Sequence, residues 1–364
     1  MERWWNRHRK LHLWLLTDLV LLAAFFLLRS NKTLMNALAD HVTTPLKTAL
    51  AVFWSHIPVS AAEMMYLTAV AAAIFWGANL IRALVKEPHR GRTAYRYLLS
   101  ALCVVLTVWA GFCLMWGVNY HTDTFQDRSG VTARQGTVEE LTALTAYFAE
   151  GVSRTASEVP RDENGLFAGD RRIILDRAVT VYESGWERFP SLRIRSVRPK
   201  EFVCSEAMSA MDFTGFYWPF TGEANVNMDS PAAFLPSTVI HEMAHQRQIA
   251  SEQECNFVAI AVCLGSDDPL YQYSGWLMGY VHVSNALYRA DREAWQRFRE
   301  SLPETVRRDI QSNNDYWNNV HTSFTDASQS VYDSFIKVNG DSHGVQSYGM
   351  VVDLLLTYYK PFCV

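Results

Sequence analysis

TVIHEMAHQRQIASEQECNF, residues 238–257, sets two histidines four positions apart, with a glutamate directly after the first. On a helix, His241 and His245 share one face one turn apart, so both imidazoles reach a single ion. Glu242 follows the first of them. It is placed to take a proton from water that zinc has acidified to a pKa of about 7. Ile240, Met243 and Ala244 suit packing on the other faces. Three matching residues also arise by chance, so the third ligand decides the reading.

Two acids follow, Glu252 and Glu254. On an unbroken helix Glu252 would stand about 10 Å beyond His245 along the axis, against a zinc–oxygen bond of roughly 2.1 Å. The chain must therefore reverse between Gln246 and Ser251, although QRQIAS contains no glycine to ease the turn. Ser251 and Glu254 form an S-x-x-E capping box for a new helix. That gives Glu254 a structural task and leaves Glu252 to face the metal. Asn256, one turn further on, is placed to hydrogen-bond a ligand. Glu252 is the expected third ligand and Glu254 its alternative. Gly265 is a candidate end for this second helix.

The 364 residues are 49% hydrophobic and 19% charged, apolar for a soluble protein of this size. The net charge of -4 gives no reason to expect a nucleic-acid partner. The apolar excess lies at the N-terminal end. Three stretches, 11–28, about 61–84 and about 97–118, reach the roughly 20 residues that span a bilayer. No small-residue cleavage site follows the first, so it reads as a retained helix rather than a signal peptide. Arg3, Arg7, Arg9 and Lys10 precede the first span, and Lys86, Arg90, Arg92 and Arg96 lie between the second and third. The positive-inside rule therefore puts the N-terminus and second loop in the cytoplasm, in contact with membrane lipid, and residues beyond about 121 outside it.

Domain expectations follow: a membrane domain over 1–120 and an extracytoplasmic domain over 121–364. Thr137 and Glu140 open a helix with a capping box, and DRRIILDRAVTVYESGWERF is a second helix. KEFVCS, GFYWPF and EANVNM read as short strands, and helical patterns dominate from Leu235 onward. The fold class is thus α+β, predominantly helical, with the motif on the first helix after a small sheet. Cys103 and Cys113 fall in the third span and face lipid or a neighbouring helix. Cys204, Cys255, Cys263 and Cys363 have disulfides open to them outside the cytoplasm, with buried free thiols as the alternative.

HExxH followed by E-x-x-x-[DN] resembles the gluzincin class of zinc metallopeptidases, in which a glutamate on a second helix is the third ligand. Over nearly the whole chain the sequence resembles DUF3810, a bacterial membrane family of unknown function regarded as zincin-like. The three spans, WGVNY (116–120), PFTGEANVNMD (219–229), HEMAHQRQIASEQECNF (241–257) and SYGMVVDLLL (347–356) carry that resemblance. It implies zinc at His241, His245 and Glu252, with Glu242 as general base. It also implies a membrane-anchored peptidase cleaving peptides or cell-envelope proteins. The spacing to the third ligand is shorter than in typical gluzincins.

Other residues are candidates for the same site. GEANVNMD (222–229) is a candidate edge strand along which an extended substrate adds. His343 and Tyr348 are candidate donors to a transition-state oxyanion, ahead of Tyr217 and His282. Asp353 and Glu63 read as capping, pairing or interfacial acids. The competing function is a non-catalytic sensor or assembly factor on a zincin scaffold, against which the retained Glu242 argues. Intramembrane proteolysis is disfavoured, because the motif lies about 120 residues past the last span in a polar segment.

Overall fold

The structure is a computed structural model describing residues 8–339 and 348–363. It divides into two compact units. One comprises Met1–Lys47, Ala61–Thr122 and Pro219–Thr221; the other comprises Thr48–Ser60, Asp123–Trp218 and Gly222–Val364.

The first unit is built on helices. Helix α1 (Arg9–Leu28) is followed by α2 (Lys32–Leu38) and by α3 (Thr44–Ser55), which belongs to the second unit from Thr48 onward; α4 (Ala61–Lys86) and α5 (Arg90–Met115) complete the first. Helices α1, α4 and α5 are each long and apolar enough to cross a membrane. The third span was expected over 97–118. Its helix instead starts at Arg90 and stops at Met115, where Trp116 leaves helical dihedrals and Gly117–His121 tightens into a 3-10 turn. Asp18, a costly residue in an apolar helix, is buried and accepts from Thr107 Oγ1 at 3.0 Å; Trp14 Nε1 donates to the same hydroxyl at 2.7 Å. Cys103 is buried toward α1, with its Sγ 3.5 Å from the Leu11 carbonyl.

In the second unit, the short α6 (Phe125–Ser129) precedes α7 (Val138–Thr155) and α8 (Arg171–Ser184). The expected capping box opens α7: Thr137 Oγ1 accepts from the Glu140 amide, and the Glu140 carboxylate accepts from the Thr137 amide, both at 3.2 Å. Next come β1 (Lys200–Phe202), α9 (Ser205–Ala210), β2 (Gly215–Trp218) and β3 (Glu223–Asn227). The helices α10 (Leu235–His245), α11 (Glu252–Gly265), α12 (Pro269–Ala290), α13 (Arg292–Ser301), α14 (Glu304–Val320), α15 (Ser323–Asn339) and α16 (Tyr348–Tyr359) complete it. The core runs between α7, α10, α11 and α12. Helices α7 and α12 approach closely because glycines face rings: a Cβ at Gly151 would lie 2.3 Å from the Trp276 indole, and one at Gly279 would lie 2.1 Å from the Phe148 ring. Gly265 does lie at the end of α11, but as its last helical residue and without a left-handed cap.

The sheet corrects one expectation. GEANVNMD is not an edge: β3 lies in the centre, parallel to β1 and antiparallel to β2, and β2 takes the edge beside the motif helix. The reason is the alternation in Glu223-Ala-Asn-Val-Asn227. Val226 joins the apolar core, while the polar residues find buried partners instead of water. Glu223 pairs with Lys200 at 2.9 Å, Asn225 accepts from Ser60 at 2.6 Å, and Asn227 donates to Ser209 at 2.8 Å. Lys200 Nζ also donates to the carbonyls of Trp54 and Val59, at 2.8 and 2.9 Å, and to that of Ile57. Segment Thr48–Ser60, which precedes the second candidate span, is thus part of the same unit as the chain after the third. No disulfide joins any of the six cysteines in this structure, and Cys255 and Cys263 are buried, in line with the alternative reading.

Candidate metal centre

Helix α10 begins with Pro236 in its first turn, where a missing amide costs nothing. It buries Val239, Ile240, Met243 and Ala244 completely, which fixes the opposite face bearing His241 and His245. The reversal after His245 is achieved without glycine. Gln248 adopts φ +67°, the left-handed region that costs an L-residue roughly 1–2 kcal/mol. Arg247, fully buried, holds the turn in place. Its guanidinium stacks 4.2 Å from the Tyr182 ring centre and donates to Met243 O at 2.9 Å, Ile194 O at 3.2 Å and Gln246 Oε1 at 2.6 Å. Ser251 then caps α11, and Glu252 is its first residue, at the helix end that favours an anion.

The turn also sets the chemistry of the imidazoles. His245 Nδ1 lies 2.8 Å from the Ile249 carbonyl. A carbonyl only accepts, so Nδ1 carries the hydrogen and a neutral ring keeps its lone pair on Nε2. His241 Nδ1 lies 2.8 Å from Asn256 Oδ1, the partner expected one turn beyond Glu252, and takes the same tautomer. Both Nε2 atoms then meet one carboxylate oxygen: Glu252 Oε2 is 3.0 Å from His241 Nε2 and 3.6 Å from His245 Nε2. Three lone-pair atoms so close need a cation among them, a proton or a metal. The proton version appears in the acidities. Burial raises Glu252, but His245 and His241 outweigh it and hold the carboxyl well below its usual range. Burial likewise opposes charge on His245, and Cys255 and Glu252 outweigh it, holding the imidazole well above its ordinary value. Because burial pushes the Cys255 thiol up to about 12, the anion facing His245 is Glu252.

The two separations to Glu252 Oε2 are in the range that the donor atoms of a zinc site would have. Bonds of about 2.1 Å in a tetrahedron put ligand atoms about 3.4 Å apart, between the two observed separations. A rival trio, His241, His245 and Cys255, has ligand atoms within 4.8 Å of one another. Cys255 Sγ, however, sits 3.3 Å from His245 Nδ1, the nitrogen already turned to Ile249. It stands on the far edge of the ring from Glu252. Glu254 is also turned away. Its carboxylate accepts from the amides of Phe125 and Gln126 at 3.0 and 3.2 Å and from Gln126 Nε2 at 3.3 Å, capping α6 rather than returning to Ser251. Only the Ser251 half of the expected capping box forms.

Glu242 lies beside this constellation in a tight slot. A Cβ at Gly215, the first residue of β2, would come 2.7 Å from Glu242 Cγ and Oε1. The carboxyl is buried, and its Oε2 has no hydrogen-bond partner among the described residues. Burial pushes its pKa up to about 7, against the opposing pull of His241 and His245. That value suits a group that takes and returns a proton near neutrality.

The remaining candidates separate. His343 lies outside the described residues, and Tyr348 is described only as the first backbone position of α16. Tyr217 sits on β2, its phenol raised by burial. His282, on α12, is pushed down to about 4 by burial and by His241, and is therefore a neutral imidazole. The residue that does touch the constellation is Tyr332, whose hydroxyl donates to Glu252 Oε1 at 3.0 Å. No local signal marks it, 80 positions away in the chain. Gly215 had only a weak signal, a glycine at the head of the strand read from GFYWPF.

Fold and site together define a chain with three candidate membrane helices and a mostly helical unit. In that unit two helices bring His241, His245 and Glu252 together beside a small mixed sheet. It belongs to the family described as Protein of unknown function (DUF3810), whose model matches residues 40–356. No curated protein and no solved structure gives a significant match.

Proposed function

We propose that this chain is a membrane-anchored zinc metallopeptidase that hydrolyses peptide bonds outside the cytoplasm, on peptides or cell-envelope proteins. The observation that carries the reading is the convergence of His241 Nε2 and His245 Nε2 on Glu252 Oε2, at 3.0 and 3.6 Å, with both Nδ1 atoms committed elsewhere. These three side chains would hold the ion. When bound, zinc supplies a Lewis acid that acidifies water and polarises a carbonyl. Asn256 and the Ile249 carbonyl orient the imidazoles. Glu242 takes a proton on its carboxylate and returns it to the leaving amine. Its buried slot supports both roles, because desolvation keeps the two protonation states close in energy near neutral pH. The basic residues flanking the spans favour an extracytoplasmic site.

Metal content of the purified full chain in detergent tests this. The full chain is required because Thr48–Ser60 belongs to the same unit as the site. One zinc per chain is expected in wild type, Glu254→Ala and Cys255→Ser, and loss of zinc in His241→Ala and Glu252→Ala. Folded wild type without zinc would end the reading. A chain whose cellular role needs His241 but survives Glu242→Gln would be a scaffold rather than an enzyme.

A further inference from the structure

We infer that Tyr332 is a positioning residue that holds Glu252 to a single ligating oxygen; this rests on the metal reading proposed above. The phenol hydroxyl donates to Glu252 Oε1 at 3.0 Å, while the other oxygen, Oε2, faces both imidazoles. The two oxygens of one carboxylate therefore have separate tasks. A carboxylate with one oxygen committed to a phenol ligates through the other and leaves a position of a four-coordinate ion for water or substrate. Without the phenol, Oε1 is released and the carboxylate can turn or close on the ion with both oxygens.

The phenol is itself held in place. Residues 325, 329 and 332 fall on one face of α15, and that face is bonded to the loop before β2. Thr325 Oγ1 donates to Ala210 O at 3.0 Å, and Gln329 Nε2 donates to Met211 O at 3.1 Å and Asp212 O at 3.4 Å. Asp212 takes φ +65°, so the loop turns sharply there. Phe213 follows, and its ring meets Tyr332 edge to face, with centroids 5.1 Å apart. Two residues beyond stands Gly215, against Glu242. One loop thus sets both the phenol on the expected third ligand and the wall of the expected base.

The test uses Tyr332→Phe in the full chain, which removes only the hydroxyl from a half-buried ring. Zinc affinity is read by competition with a chelator, and coordination number by the visible bands of cobalt(II), intense when four-coordinate and weak when five-coordinate. The expected result is zinc affinity lower by about 10–100-fold and weaker cobalt bands, with unchanged melting of the metal-free protein. Gln329→Leu, which loosens the helix face without touching the phenol, should shift both readouts the same way and less. Equal affinity and equal cobalt bands in wild type and Tyr332→Phe would overturn the inference and leave the metal reading standing. Wild type that takes up neither ion would overturn both.

Discussion

Replacing Gly215 with alanine should separate the placement of Glu242 from the binding of metal. The backbone at Gly215 is outside the left-handed region, so alanine is not strained there. The new methyl would lie 2.7 Å from Glu242 Cγ and Oε1 and 2.9 Å from Cδ. Carbon atoms settle at about 3.5–4.0 Å, so the side chain or the strand must yield by about 0.8 Å. Cγ is close to the root of the side chain, and the carboxyl is buried, so a rotation of its far end does not relieve the overlap. Over-packing of this kind costs about 1–3 kcal/mol, and a misplacement near 1 Å costs on the order of 10²-fold in rate. The atoms the methyl would meet first belong to Glu242 alone, so zinc held by His241, His245 and Glu252, as proposed above, should be retained. The assay is cleavage of a quenched fluorescent peptide pool by the full chain, with metal content read on the same samples and Glu242→Gln alongside. The expected outcome is full zinc with activity down about a hundredfold or more in both variants. Wild-type activity in Gly215→Ala would refute the slot argument. Parallel loss of zinc and activity would show that the glycine serves the fold instead.

Three further outcomes follow from buried charge and backbone. Lys200→Ala should lower the stability of the full chain by about 3–5 kcal/mol in denaturant titration, because it breaks the buried Lys200–Glu223 pair; a loss under 1 kcal/mol would contradict this. Lys47 is almost fully buried, and desolvation lowers its pKa from 10.5 to about 7. The unfolded chain therefore binds the extra proton between those values, and wild-type stability should rise with pH across that window. Lys47→Met should melt higher than wild type at pH 7, with the gap closing above pH 10.5, and a gap constant with pH would dismiss the idea. At Gln248, φ +67°, glycine should be neutral or stabilising by up to about 1 kcal/mol. Valine should destabilise by more than that and weaken zinc uptake, because it moves the Ile249 carbonyl from His245. Equal behaviour of the two variants would mean the turn bears no strain.

What could be read from the sequence was local. Apolar runs located the three candidate spans, helical periodicity and the Thr137–Glu140 box located α7, and the rise per residue showed that the chain must turn before Glu252. The one-turn spacing of Glu252 and Asn256 also marked Asn256 as a partner for one of the ligands, which the structure identifies as His241. What could not be read depends on partners distant in sequence. A turn without glycine looked unfavourable because the anchor that holds it, Arg247, resembles any solvent-facing arginine until Tyr182, Ile194 and Ser196 surround it. Strand β3, a candidate edge from its place just before the motif, is paired on both sides, and its polar face is buried. That face is dry because Lys200 and Ser60 cover it, and Ser60 comes from a loop 165 positions earlier in the chain. Glu254 resembled a capping residue for its own helix, whereas it caps α6, more than 120 positions upstream. Tyr332 left no trace at all. The same contrast bears on chance. Two histidines and a glutamate on a helix can recur by accident, as a local pattern. A backbone carbonyl and an amide close by in the chain, joined by a phenol 80 positions away, each meet a different atom of His245, His241 and Glu252, and the phenol arrives only when the unit is folded around them. Such an arrangement costs a strained turn and a buried arginine, and it is explained if a cation at the centre returns that cost on binding.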